Sequence, residues 1–340
     1  MNGFRPLGSS TVDPAMFHDA EVVPWMRAAG TAVPMDARVT RLSGGVSNVV
    51  MWVESNSGRW VVKQSLGRLD VPGEWHAPRE RILAEAAALD IMGAVIEGCV
   101  PPVVIVDEHR LAMAMVAAPA AARDWRDVLF SGGVDRAVGR SAGRILGQLH
   151  KATTGIALPD QLVEGTQLET LRLDPYFREA AKREPEIATY LDLVVEHLAA
   201  TSTCLVHGDY SPKNLLSWPG HLWVIDTEVA HRGEPVFDVA FLTHHLLMKA
   251  LVMPGSSGAI RQCWLSFAQA YEAIVGAPDE VLLTRLTGAL LIARVLGKSP
   301  ALYLQSDHAT RTLDLGRDLR TARRDIADVW SEIAGVGGAV

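Results

Sequence analysis

The segment that most constrains this chain is CLVHGDYSPKNLLSWPGHLWVIDTEV, residues 204–229. It is a β-like island in a half that otherwise reads as helical. Apolar runs flank a polar loop, and Pro219-Gly220 separates the second run from the third. The spacing predicts strand, loop, strand, turn, strand. A polar loop held between strands is where a fold presents chemical groups. This loop carries His207, Asp209 and Asn214, and the strand pair after it ends at Asp226 and Glu228. The set is three carboxylates and an amide oxygen gathered near one point. Hard oxygen donors without cysteine or paired histidine suit Mg2+, which takes about six oxygens and shares them with water and phosphates. Asp209 is then left to accept a proton from an attacking hydroxyl.

The first half has a different rhythm. Residues 38–42, 48–54 and 59–64 alternate and carry valine and tryptophan, which predicts strands of an antiparallel sheet. The glycine-rich turn SGGVSN joins the first two. A helix is predicted over 78–92, with Pro78 near its start, and two more strands in VPPVVIV and RLAMAMVA. Beyond an alanine-rich bend at 117–122, helices are predicted over 135–153, 186–199, 235–250, 258–275, 278–296 and 307–333. The expected fold is α+β and bilobed. Residues 1–117 form a sheet lobe with one packed helix and an N-terminal helical extension. Residues 118–340 form a larger helical lobe that holds the polar loop.

HGDYSPKN resembles the HGDxxxxN catalytic loop of the aminoglycoside phosphotransferase and choline kinase superfamily, whose fold is protein-kinase-like. IDTEVAHRGEPVFDVAFL resembles the metal-binding segment of that family. RLSGGVSNVVMWVE resembles its nucleotide-covering loop, WVVKQ its third strand with a phosphate-pairing lysine, and LAEAAALDIMG the helix whose glutamate orients that lysine. The likeness spans roughly residues 38–300, with five motifs in the family order.

The resemblance implies an ATP- and Mg2+-dependent transfer of the γ-phosphoryl group to a hydroxyl of a small molecule, a sugar, an amino alcohol or an aminoglycoside-like compound. Position by position, Lys63 would pair the phosphates and Glu85 would hold Lys63. Glu80, a rival for that role, sits on another face of the helix. Gly44, Gly45, Ser47 and Asn48 would admit the phosphates, and Met113 would line the adenine slot, with Met115 as its alternative. Asp209 would be the base, Lys213 would neutralise the moving phosphoryl group, and Asn214, Asp226 and Glu228 would face the metal. Glu228 departs from the Asp-Phe-Gly of protein kinases. Asp238 would brace the loop. Two further stretches, RGEPVFDVAFLTHHLLMKAL and LLIARVLGKSPALYL, resemble the 5-methylthioribose kinase branch, and the second places Arg294 near the acceptor. Asn214 departs from that branch. The alternative reading is an ATP-binding regulatory protein that keeps the cleft without turnover.

Other features narrow the classes. The net charge of −7 gives no global attraction to nucleic acid or an anionic membrane. The expected partner is a small-molecule hydroxyl acceptor, and a homodimer is compatible with the sequence. Three widely spaced cysteines contain no CxxC pair and fit reduced thiols in a cytoplasmic protein. No apolar run suits a signal peptide or a membrane span. GRSAG, residues 139–143, matches a nucleophile elbow in letters, but it lies inside a helical pattern and reads as small-residue helix packing. Gly297-Lys298-Ser299 reads as a helix end. Adjacent His244 and His245 point different ways on a helix and read as packing residues.

Overall fold

The structure is a computed structural model that describes residues 16–336 apart from 43–45 and 72–73. The predicted Gly44 and Gly45 therefore lie outside the described residues. Helix α1 (Asp19–Ala28) precedes strands β1 (Arg38–Leu42), β2 (Asn48–Ser55) and β3 (Gly58–Ser65). Helix α2 (Arg81–Val95) follows, then β4 (Val103–Asp107) and β5 (Ala112–Val116). The five strands form one antiparallel sheet in the order β1-β2-β3-β5-β4. Period-two alternation splits its faces. Met51, Val53, Val62 and Ala114 pack with Val22 and Met26 of α1. Met113 and Met115 face the other way and join the main core with α2. The N-terminal helix thus covers one face of the sheet.

The chain leaves this sheet after Val116. Its next strand, β6 (Arg123–Asp124), already pairs within the second lobe, on β8 (Leu215–Trp218). Helices α3 (Trp125–Phe130) and α4 (Arg136–Thr153) come between, followed by a run of short turns and a π-helical stretch, Glu169–Arg178, and then α5 (Ala188–Ala200). The predicted island folds as β7 (Cys204–Val206), a loop with one helical turn at Pro212–Asn214, β8, a turn at Pro219-Gly220, and β9 (His221–Val224). A further strand, β10 (His231–Gly233), pairs with β7. Helices α6 (Pro235–Val252), α7 (Ser257–Val275), α8 (Glu280–Leu296), α9 (Ser306–Leu319) and α10 (Ile326–Val336) complete the lobe.

Three local features differ from the sequence expectations or refine them. The helix expected over 307–333 is two helices. Ala322 turns left-handed at φ 49°, and the Asp325 carboxylate accepts the Asp328 N–H at 2.7 Å to start a new helix. Helix α6 has the length and mean hydropathy (1.3) of a membrane span, but 89% of it is buried inside the protein. Its apolar character is that of a central core helix. GRSAG lies within α4, where its glycines let α7 approach. A Cβ at Gly139 would sit 2.4 Å from the Cys263 carbonyl oxygen, and one at Gly143 would sit 2.1 Å from that of Phe267.

Candidate active site

The cleft between the lobes encloses about 440 Å³. Its roof is the sheet, with Val50 and Val61, and its floor is the β8–β9 pair, with Leu216 and Ile225. Apolar side chains above and below a flat slot suit a planar aromatic ring. Met115 lines it, whereas Met113 is fully buried and absent from the lining. The expectation for Met113 is thus corrected to Met115. Both point to the same face, but Met113 lies two residues deeper in the strand and packs in the core with α2.

Lys63 on β3 reaches down from the roof. Its Nζ donates to Glu85 Oε1 at 2.6 Å and to Asp226 Oδ1 at 2.7 Å. Glu85 is the partner from α2; Glu80 lies one position before that helix and is exposed. Burial opposes the charge on Lys63, but Asp226 and Glu85 outweigh it and hold the ammonium above its ordinary range. Burial pushes the Glu85 carboxyl up against the pull of Lys63. Its Oε2 is buried with no hydrogen-bond partner. Asp226 is held well below the usual carboxylate range, with Lys63 and Lys213 overcoming burial. It adopts a left-handed backbone at φ 64°, a conformation aspartate tolerates better than most residues.

Glu228 lies on the same side. Its Oε2 accepts from Asn48 Nδ2 at 3.0 Å and from Arg81 Nε at 3.2 Å. Arg81 also donates to the Ser47 carbonyl. Ser47 and Asn48 both line the cleft, and here the Asn48 amide ties the start of β2 to the floor.

The His207–Asn214 loop is shaped from below by Asp238, near the start of α6. One carboxylate accepts the His207 N–H at 2.7 Å and the Gly208 N–H at 2.8 Å, and lies 3.2 Å from His150 Nε2. Gly208 has φ 74°, and a Cβ there would stand 2.6 Å from the Val229 carbonyl oxygen, so the turn requires glycine. Burial keeps His207 neutral. Its Nε2–H donates to the Ile225 carbonyl, and its Nδ1 accepts the Asp209 N–H.

This frame sets Asp209 beside the cleft, against Lys213, which lines it. Lys213 lies 2.9 Å from its Oδ2 and Arg172 lies 3.1 Å away. Burial would raise the pKa of Asp209, but these two cations hold it below the usual carboxylate range, so the group is ionised at neutral pH. The Asn214 amide nitrogen donates to the Asp209 carbonyl at 2.9 Å, which leaves its oxygen for another ligand. Asn214, Asp226, Glu228 and Lys213 all line the cleft.

The sequence matches the profile described as the phosphotransferase enzyme family over residues 38–272. The chain belongs to this family. Among solved structures, an amicoumacin kinase with AMP-PNP and Ca2+ is similar at TM-score 0.57 and 15% identity, covering 91% of this chain and 95% of its own. A choline/ethanolamine kinase family protein from Mesorhizobium loti has TM-score 0.52 and 18% identity, covering 92% and 99%. A spectinomycin phosphotransferase with ADP and spectinomycin has TM-score 0.50 and 14% identity, covering 95% and 99%. At these identities the likeness is one of fold, the bilobed α+β fold. No curated protein matches the sequence.

Within this phosphotransferase, sequence reasoning missed two arginines. Arg172 donates to the Gly208 carbonyl at 2.8 Å and lies over the rings of Tyr176 and Phe241. Arg81 ties α2 to Glu228. Arg172 sits in the π-helical stretch, whose irregular spacing and internal Pro175 hide it from any periodicity argument. Arg294 does not line the nucleotide-sized cleft. It stands behind Tyr176, with Nη1 3.3 Å from the Tyr176 hydroxyl and 2.8 Å from Ser299 Oγ.

The donors present fit a hard divalent cation. The Asn214 oxygen and the Asp226 and Glu228 carboxylates all open on the cleft. Among the described residues no cluster of three or more histidine, cysteine or acidic groups forms a closed metal cage. Mg2+ uses one or two carboxylates with substrate phosphates and water, so an open set of this kind matches it.

Proposed function

We propose that this protein is an ATP-dependent O-phosphotransferase acting on a hydroxyl of a small molecule, with Asp209 as the base. The observation that carries the reading is Asp209 itself, a buried carboxylate kept ionised by Arg172 and by Lys213, which lines the cleft beside it. Asp209 accepts the acceptor's hydroxyl proton as the acceptor oxygen bonds to the γ-phosphorus. The bond from that phosphorus to the β,γ-bridging oxygen breaks, and ADP leaves with the electron pair. Lys63 pairs the phosphates and Glu85 holds Lys63. Lys213 stands where it offsets charge on the moving group. Ser47 and Asn48 line the phosphate end, and Met115 with Val50 and Val61 receives the adenine ring. Asn214 and Asp226 would hold Mg2+, with Glu228 as a further acidic neighbour. When bound, the ion would neutralise phosphate charge and fix its orientation. Phosphoryl transfer depends chiefly on such positioning and charge stabilisation.

Three buried, unpaired thiols, Cys99, Cys204 and Cys263, support a cytoplasmic setting. The test is incubation with ATP labelled at the γ-phosphate and pools of hydroxyl compounds, followed by separation of labelled product. The reading requires an acceptor-dependent phosphomonoester that is absent with Asp209→Asn. Label that goes only to inorganic phosphate at an acceptor-independent rate would favour the regulatory alternative.

A further inference from the structure

Lys249, near the end of α6, is 1% exposed and has no carboxylate partner among the described residues. Its ammonium lies between two aromatic faces, 5.3 Å from the Phe130 ring centroid and 5.4 Å from that of Tyr303. The two rings are themselves in edge contact at 5.1 Å. A buried lysine normally carries an acid, because an unpaired buried charge is costly. Close by, Arg294 on α8 is also without an acid. Its Nη1 is used by Tyr176 and Ser299, while its Nε is buried with no acceptor. The Tyr303 hydroxyl is buried and unpartnered too. The field of Arg294 reaches both Lys249 and Tyr303. Three donors, on α6, on α8 and in the loop after α8, thus lack an acceptor among the described residues.

Arg294 is linked to the base through two residues. From Arg294 the contacts run to the Tyr176 hydroxyl, from the Tyr176 ring to Arg172, and from Arg172 to Asp209. Asp209 is already shared by Arg172 and Lys213. On the α3 side Arg126 is paired with Asp124 at 3.0 Å and with Asp127 at 3.1 Å, so that group carries one negative charge more than it neutralises, and Asp124 is the acid whose field reaches Lys249. His244 and His245 are neutral, pushed down by burial. Along the contacts from Asp209 to Arg294, three cations, Lys213, Arg172 and Arg294, stand against the single carboxylate of Asp209.

We propose that the hydroxyl acceptor carries an anionic group, a carboxylate or a phosphate, which is bound by Arg294 and Lys249, and that the site discriminates against cationic acceptors. This rests on the phosphotransferase reading and specifies its acceptor class. An anion supplies the missing acceptor to both cations, and charge-assisted hydrogen bonds are the stronger kind. An amine-bearing acceptor would meet like charges instead. Burial, helped by Arg126 and Arg294 and opposed by Asp124, pulls the Lys249 ammonium down to about 7, which is the electrostatic cost an anion would relieve.

The experiment uses three probes that share a diol and differ in charge: glycerate, glycerol and 3-amino-1,2-propanediol. Each is titrated calorimetrically into the full chain with AMP-PNP and Mg2+ present, and each is assayed for ADP release with ATP. Glycerate is expected to bind saturably and at least tenfold more tightly than glycerol, with the amine weakest. Arg294→Gln should weaken glycerate on the order of 10- to 100-fold, leaving AMP-PNP affinity within about twofold. Arg294→Lys should restore most of the loss. Lys249→Met, whose apolar side chain suits the aromatic box, should weaken glycerate in the same way. The proposal is overturned if the amine binds as tightly as glycerate, if glycerate shows no saturable binding, or if both charge-removing variants bind it like the wild type. Phosphoryl transfer to the amine would uphold the phosphotransferase reading and overturn this one. An anion preference without transfer would support this one and count against phosphotransfer.

Discussion

Lys63 Nζ lies 2.7 Å from Asp226 Oδ1, although 163 positions separate the two residues in sequence. One ammonium joins the roof of the cleft to its floor, and the same ammonium holds Glu85 of α2. The two lobes are thereby registered at the point where phosphates would sit.

Removing that ammonium leaves Glu85 buried without its cation. Lys63→Met should cost about 3–5 kcal/mol of stability, the usual penalty for breaking a buried pair. The loss should be larger at pH 8 than at pH 5. In the variant the Glu85 pKa rises further, so the folded chain holds a proton the unfolded chain has released, and stability falls as pH rises from the ordinary glutamate value through the folded one. Thermal unfolding of both proteins at the two pH values checks this. Equal losses at both would mean that Glu85 has another partner.

The two acids of the β9 exit should differ. Asp226→Asn removes the second carboxylate partner of Lys63 and an oxygen proposed to hold Mg2+, and should lower kcat at least 100-fold and raise the Mg2+ requirement. Glu228→Gln frees Arg81 and loosens Asn48, and should cost about 10-fold, the lower end for a supporting group. Mg2+ titrations of initial rate would show the order. If Glu228→Gln were the more damaging change, the principal metal acid would be Glu228.

Asp238 accepts two backbone N–H groups from the catalytic-loop turn. Asp238→Asn turns an N–H donor toward one of them and should destabilise the protein by about 1–3 kcal/mol, the price of a buried unsatisfied donor. Chemical denaturation would measure it. Nucleotide affinity should change less than kcat, because the brace positions Asp209 rather than Lys63.

Lys249 makes a pH prediction of its own. Its pKa is lowered from 10.5 to about 7 in the folded protein. Below pH 7 folded and unfolded chains both carry the proton, and the full burial cost is present. Between about 7 and 10.5 the unfolded chain holds more protons, so this group makes stability rise with pH, by about 1.4 kcal/mol per unit. Lys249→Met should raise Tm at pH 7 and flatten that rise. An unchanged slope would indicate that Lys249 is not the titrating group.

Much of this was legible in the sequence, for identifiable reasons. The island at 204–229 carries its own strand and turn signals, so the loop with Asp209 and Asn214 could be placed without tertiary information. Glu85 as the partner of Lys63 followed from the family resemblance, and helix geometry set the rival Glu80 on another face. Other features depend on packing between distant segments. Alternation put Met113 and Met115 on one face equally, and only the depth of α2 against the sheet separates them. Arg172 acts through a π-helical stretch with no simple period. The break near Ala322 comes from a capping carboxylate in a segment whose composition is as helical as its flanks. That neither Lys249 nor Arg294 has an ion-pair partner among the described residues depends on several elements packed together, which no single stretch of sequence contains.

The central claim is that Asp209 serves chemistry while nucleotide is held elsewhere. Its most direct test is to measure kcat and AMP-PNP affinity on the same preparation of Asp209→Asn, once an accepted hydroxyl compound is in hand. The account predicts a fall in kcat of about 10²–10⁴-fold, the usual range for loss of a general base, with nucleotide Kd within about threefold of wild type. Retention of more than about a tenth of kcat, or a loss explained wholly by weaker nucleotide binding, would contradict it.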